Sequence, residues 1–459
     1  MLEEVRQPRR DGRAEQESPI QPGHTPATVT DKISTLVLEK ATPLWWWLGF
    51  AVAFALVMLL LYAVADLLVR GVGIWGINIP VAWGFAITNF AWWIGIAHAG
   101  TLISALLLLM HREWRISVSR FAEAASLFAL AAAGLFPILH LGRPWLFYWM
   151  VPYPNTMGLW PQWRSPLVWD FFAIGAHALL SIMFWYVGLI PDLATLRDRA
   201  RKQWIKKVYA LLALGWRGDA FHWQQYRRAY FLLAALAVPL IFFVHSIIGM
   251  DFAVAILPGW HSTLFPPYFV AGAIFSGFAT VVMIAIPLRA LFRLHDLITA
   301  HHLDNIAKII LASGLLIVYS YLVQLFGSWY SGRETEWLLV IGRTLGPYAP
   351  TFWTMILANV MVIQLLWFRR IRTNVLALFV IAVIVNIGMW LTYFIIVVTS
   401  LYRNYRPSMW RLFTPTFWDW ATFIGTIGLF IALMFLFIRL LPLIPIHEME
   451  ELVAEEQEG

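Results

Sequence analysis

Three polar side chains stand where almost everything around them is apolar: His140 in FPILHLGRPWLF, Asp170 in SPLVWD and Asp251 in HSIIGMDFAVAIL. An imidazole and two carboxyls can exchange protons near neutral pH when burial and neighbours tune them, so together they suit general acid and base chemistry. Each also has a plainer use. His140 can cap a helix C-terminus, where positive charge is favoured, and Asp170 can balance the dipole of a first helical turn. Asp251 can pair with Arg143 or Arg164. Their joint arrival at one level of the molecule favours a site. No metal-ligand set accompanies them, and the chain has no cysteine. That removes disulfides, thiolate-held iron–sulfur clusters and covalent c-type haem from this chain.

The elements that position these residues follow from composition. Hydrophobic residues make up 60% and charged residues 13%, against about a quarter charged in water-soluble domains, so an all-α, multi-pass membrane protein is expected. A bilayer core needs roughly 20 apolar residues per helix. Ten segments satisfy it, near 44–66, 81–110, 122–140, 166–191, 229–257, 267–293, 304–328, 350–368, 373–400 and 417–440. The polar stretch 1–43 reads as a flexible tail and 442–459 as an acidic one. The apolar run from Leu44 is too long for a signal peptide and reads as a retained span.

Ten spans put both tails on one side. Lys and Arg concentrate in the connections of that side: Arg112, Arg115 and Arg120, then RDRARKQWIKK with Arg217 and RR, then RRIR at 369–372. The positive-inside rule makes that side cytoplasmic and the membrane the inner one; RNYR and Arg411 in 401–416 run against the trend. The opposite loops are crowded with Trp, Tyr and Pro, which suits an interfacial belt or a surface docked under another protein. GRP followed by SPLVWD resembles GRE (332–334) followed by APTFWT, an offset of four spans. A parallel repeat would give two four-helix bundles, 81–257 and 267–400, with spans 44–66 and 417–440 at the periphery.

In this topology His140 ends span 3, Asp170 opens span 4, and Asp251 lies about 22 residues into span 5, roughly 33 Å along the helix. A histidine and two acids thus meet at the outer boundary. Oxidation of a quinol needs this set, because two hydroxyls lose protons as electrons leave and the ring needs an apolar, aromatic pocket. WLFYW, WHSTLFPPYF and SWYSGRE supply aromatics. Deeper, His177 and His245 reach similar depths on adjacent spans, and three readings stay open: packed core, a proton path, or ligands of a b-type haem. His98, with Asn89 and Thr101, can extend such a path; Asn386 and Gln324 can do so in the second bundle.

HLGRP, SPLVWD and GMDF on ten spans resemble the NrfD-type (polysulphide reductase) membrane subunits, most closely the larger quinol-binding subunit of alternative complex III, over most of the chain from about residue 40. The resemblance implies menaquinol or menaquinone bound near the periplasmic face and no haem or iron–sulfur cluster in this chain. Electrons pass to an extrinsic iron–sulfur subunit and haem c subunits beside a second NrfD-like membrane subunit, with proton translocation a further expectation. His140, Asp170 and Asp251 match the family's catalytic histidine and acids, with Arg143 beside them in the quinol site. The family includes quinone-reducing members, so the sign of electron flow stays open. Two other classes remain: a secondary transporter, disfavoured because most spans read as continuous, and a structural anchor for a redox enzyme. Nothing points to nucleic acid. Single cysteines at Arg201 and Asn155 are expected to label with an impermeant reagent from opposite sides; labelling of Arg201→Cys from outside overturns the orientation.

Overall fold

The structure is a computed structural model that describes residues 19–39, 41–158 and 160–458. In chain order its helices are α1 (Pro26–Leu38), α2 (Leu44–Arg70), α3 (Gly84–Leu109), α4 (Ile116–His140), α5 (Pro166–Arg199), α6 (Gln203–Leu212), α7 (Ala220–Ala253) and α8 (Phe265–Leu291). They continue as α9 (Ala300–Tyr330), α10 (Glu334–Leu345), α11 (Ala349–Ile356), the single turn α12 (Arg369–Arg372), α13 (Val375–Leu401), α14 (Phe417–Leu440) and α15 (Ile446–Glu458). Ten helical segments are long and apolar enough to cross a membrane, and they coincide with the ten expected spans. The protein is a multi-pass membrane protein.

Helix α3 is the axis of the assembly and contacts α4, α7, α8 and α13. Of its most apolar stretch 78% is buried within the protein, against 22% for α2, which therefore faces lipid. Small residues let α3 lie so deep. A Cβ on Gly100 would sit 1.8 Å from the Ala122 carbonyl oxygen of α4, and one on Gly277 of α8 would sit 1.7 Å from Ala99 Cβ. Close backbone approach of this kind is how helices associate in lipid, where no hydrophobic drive separates helix from solvent. The same device joins the peripheral pair, since Gly425 and Gly428 of α14 lie against Leu60 and Leu56 of α2. Beyond α3, helix α5 packs on α4 and α7, α9 on α8, α11 on α13, and α7 on α8.

Several boundaries differ from expectation. Residues 26–38 were expected in a flexible tail but form α1, opened by a reciprocal Thr25–Thr28 capping pair with Pro26 in the first turn. Val29, Ile33, Leu36 and Val37 fall on one helical face and are buried in the same core as Met449, Leu452 and Val453 of α15. The expectation for residues 1–18 lies outside the described residues. Both terminal helices cover one face of the bundle, called here the terminal face. Arg115 and Arg120, counted as loop cations, are 7% and 1% exposed, because α4 begins earlier than its apolar run and its first turns find acidic partners. Taking them out leaves the charge bias resting on Arg112, 192–228 and 369–372. The eighth span is continuous only in outline: α11 passes into a π turn at Leu357–Met361 and then 3₁₀ turns to Trp367. There Asn359 bonds Thr392 of α13 at 3.0 Å and Tyr321 of α9 at 3.2 Å. Helix α10 lies in a loop where no element was expected.

Gly100→Ala should lower the thermal midpoint of the purified protein by an overpacking cost of about 1–3 kcal/mol. Gly134→Ala, with nothing within 4 Å of its Cβ, should leave the midpoint unchanged or raised.

Candidate functional site

Asp170 enters on the second turn of α5, just after Pro166 fixes the helix start, and Asp251 lies two residues before the end of α7. These helices pack along each other, and the two carboxyl groups come within hydrogen-bond reach at the face opposite the terminal one. Asp170 is 7% exposed and Asp251 half-buried. One oxygen of each, Asp170 Oδ1 and Asp251 Oδ1, is buried with no hydrogen-bond partner among the described residues. Arg143 and Arg164 are exposed and form no ion pair with either acid among the described residues, so the structural pairing considered for Asp251 is not made.

His140 ends α4 at this same face and is half-buried. It is not in contact with the acids. Its ring instead stacks on Trp75 at 6.4 Å and 12°, and both His140 Nδ1 and Trp75 Nε1 are buried without partners among the described residues. Gly142, at φ +71°, turns the chain out of α4 where a Cβ would meet Val72 at 3.2 Å, so the glycine of HLGRP holds the α4 end against the turn that carries Trp75. Trp75 was missed in the sequence because nothing local sets it apart among 26 tryptophans.

Beside the acids an apolar cleft of about 660 Å³ opens between α5 and α7, lined by Trp163, Trp169, Phe172, Phe243, Ile247 and Met250 among others. Trp169 donates from Nε1 to the Trp163 carbonyl at 2.6 Å, and Trp163 stacks on Phe172. Neither acid lines the cleft; Trp169 and Met250, which do, immediately precede Asp170 and Asp251 in their helices.

Towards the terminal face the first bundle holds a line of buried polar groups. His177 and His245 are joined by His98 of α3. The His98 and His177 rings stack at 4.3 Å, and His245 meets His98 edge-on at 4.6 Å. The Ile94 carbonyl, which can only accept, lies 2.6 Å from His98 Nδ1, so the hydrogen is on that nitrogen; His245 Nδ1 is 3.0 Å away. All three Nε2 atoms are buried and unpartnered among the described residues. Ser181 reaches His177 Nδ1 at 3.4 Å, and Thr101 donates to Ser181 at 3.2 Å. One turn further along α3, Ser104 donates to Glu123, which also accepts from Tyr230 at 3.3 Å. Arg120 spans Glu123 at 3.4 Å and Asp192 at 3.0 Å, and Asp192 accepts the Ile446 and His447 amides of α15. Arg115 pairs with Glu448 of the same helix.

Arg120 and Asp192 were missed as interior residues because the spans were drawn to their apolar cores, and Glu123, inside the span 122–140, was passed over. Glu123 alone in SRFAEAASLFAL was the available signal. Asn386 lies apart from this line, bonded to Thr280 and the Ala382 carbonyl. Among the described residues no cluster of three or more His, Asp or Glu is arranged to hold a metal ion.

The fold and the site define a ten-helix membrane protein with a buried acid pair at one face and a line of buried polar groups behind it. The family model described as Polysulphide reductase, NrfD matches residues 75–403, and the chain belongs to that family. It is 29% identical over 234 residues to a putative dimethyl sulfoxide reductase membrane subunit of Halobacterium salinarum, covering 48% of this chain and 49% of that protein. The chain thus matches about half the length of that relative. It is 22% identical over 382 residues to a selenate reductase subunit of Mesobacillus selenatarsenatis, covering 79% and 86%.

Replacing Arg120 by Gln leaves Asp192 and Glu123 buried without a cation. A loss of about 3–5 kcal/mol is expected, seen as a lower thermal midpoint and as protease cleavage within α15 at temperatures where the parent resists.

Proposed function

We propose that this chain is the quinol-oxidising membrane subunit of a redox complex, taking menaquinol at the acid pair and passing electrons to an extrinsic iron–sulfur partner on the periplasmic side. The observation that carries the reading is the contact between Asp170 and Asp251 beside an aromatic, lipid-side cleft. Two carboxyls in contact need a proton between them, so the pair has room for one more. A quinol whose ring enters from the cleft brings a hydroxyl to those oxygens, one of which on each acid is unpartnered. Oxidation of the quinol releases two electrons and two protons. The acid pair accepts one proton, and His140, whose Nδ1 is free, is the second base in this scheme, held in orientation by Trp75. Arg143, exposed beside His140, is assigned to the rim of the quinol site. Aromatic and aliphatic walls fit the ring and its isoprenoid tail.

The direction is argued from the relatives. Both carry the names of reductase subunits, and a membrane subunit serving a reductase must deliver electrons, for which a lipid-soluble quinol is the available donor. Alternative complex III, with haem c subunits and a second NrfD-like subunit, remains the finer assignment that the HLGRP, SPLVWD and GMDF motifs suggest. The Lys and Arg count supports cytoplasmic termini, and the inner membrane is the location assigned in this reading.

The polar line from His177, His98 and His245 through Ser181, Thr101, Ser104 and Glu123 is assigned to proton transfer between the acid pair and the terminal face. A void of about 10 Å³ beside His98 and His245 is close to the space one water needs. The imidazoles pack directly on one another, leaving no slot between them for a porphyrin, which favours proton exchange over haem ligation.

Asp251→Asn keeps the side-chain shape but removes a base. Quinol-dependent dye reduction by the purified complex should fall ~10²–10⁴-fold while the complex assembles normally. Full turnover in a well-assembled Asp251→Asn complex ends the catalytic reading, and poor assembly with normal turnover per complex assigns the pair a structural role.

A further inference from the structure

The second bundle contains a cavity that the acid-pair chemistry does not use. It has a volume of about 270 Å³ and lies between α8, α9, α10, α11 and α13 at the same face as Asp170 and Asp251. Its α9 wall runs from Val318 to Ser328, roughly 15 Å along a helix, so it is elongated along the membrane normal. Leu322, Leu325, Ile356 and Val360 make it apolar, and Tyr321 bonded to Thr392 at 2.8 Å closes its deep end.

Among the described residues one charge faces it. Arg343 of α10 lines the cavity and is 6% exposed. Its Nε and Nη2 donate to the hydroxyls of Thr399 and Ser400 at 2.9 and 3.0 Å, both neutral. Among the described residues no carboxylate lies within ion-pair distance. Glu336 favours the cation from beyond ion-pair distance, and its oxygens accept from the Gly259 amide at 3.1 and 3.3 Å. Burial pushes the Arg343 guanidinium down to about 10, still a cation at neutral pH. A buried cation without an anion is costly.

The setting says what anion. Trp337, Leu338, Ile341 and Leu345 of α10 are exposed apolar residues at helical spacing on one face, with Arg343 turned inward. A short helix of this pattern lies in the headgroup region, its apolar side in lipid. Trp329, Tyr330 and Trp353 are exposed around it, as in an interfacial belt. Arg343 is therefore at the depth of lipid phosphates, above a slot shaped for a hydrocarbon chain.

We propose that this cavity binds one anionic phospholipid, its headgroup phosphate paired with Arg343 and one acyl chain descending along α9 towards Tyr321. A neutral quinone would fill the slot but leave the cation uncompensated, whereas an anionic lipid satisfies both. The proposal rests on the fold and on Arg343, not on the quinol reading.

The test is native mass spectrometry of the intact complex, stripped with detergent and re-equilibrated with phosphatidylglycerol or phosphatidylethanolamine. The parent should retain one phosphatidylglycerol with a preference of about fivefold or more, the scale of one basic side chain acting on an anionic lipid. Arg343→Gln should abolish the preference and Arg343→Lys largely restore it. Ser320→Phe, which blocks the slot and leaves the charge, should lose the lipid, and Arg333→Gln, exposed outside the cavity, should retain it. Quinol oxidation is measured in parallel, so a failure at the acid pair is seen separately. Retention unchanged in a folded Arg343→Gln complex, no preference in the parent, or a quinone held in the lipid's place each overturns the proposal.

Discussion

A guanidinium buried among helices decides how this bundle closes. Arg120 is 1% exposed and answers to two carboxylates, Glu123 one turn away on its own helix and Asp192 on α5. In a low-dielectric interior such a group is tolerated only when fully partnered, so the three residues fix α4 and α5 in one register. Asp192 then draws in the amides at the start of α15, and Arg115 holds that helix by Glu448. The terminal helices are thus not appendages. They complete the electrostatics of the span interior, and α1 is retained because it shares an apolar face with α15.

The same rule organises the rest of the first bundle. Hydroxyls and imidazoles of α3, α5 and α7 find one another because lipid offers no alternative partner. Among the groups left without partners here are the three Nε2 atoms and one oxygen of each acid. In the second bundle polar groups such as Asn386, Asn359 and Thr392 bond locally and tie helices together. The uncompensated group there is Arg343. The two halves share helix packing but not this distribution of polar groups.

The ten spans were legible because each is a long apolar run, and the termini sharing a face followed by parity. The pairing of Asp170 with Asp251 was legible too, since helix length carried both to one level. His140 reached that level, yet its partner is Trp75; a helix end fixes depth but not azimuth, and only packing shows which way a ring turns. Arg120 and Asp192 were obscured because charges near a span's end look like loop charges until their partners are known, and Glu123 was passed over inside its span. Helix α1 was obscured by the polar composition around it, although Val29, Ile33, Leu36 and Val37 carried the period of a buried face. Trp75 and the cavity over Arg343 depend on contacts distant in sequence and left no local trace, whereas α10 carried its period in Trp337, Leu338, Ile341 and Leu345 and was passed over as loop.

The α15 cap on Asp192 bears on biogenesis. Ile446 is 254 residues beyond Asp192, so at roughly 5–20 residues per second the ribosome needs tens of seconds to deliver it. Throughout that interval α4 and α5 are already in the bilayer while the Asp192 carboxylate lacks the amides that finally hold it. The nascent chain must keep this end of the bundle hydrated until α15 arrives, and assembly of the first bundle is therefore finished only once α15 has been made.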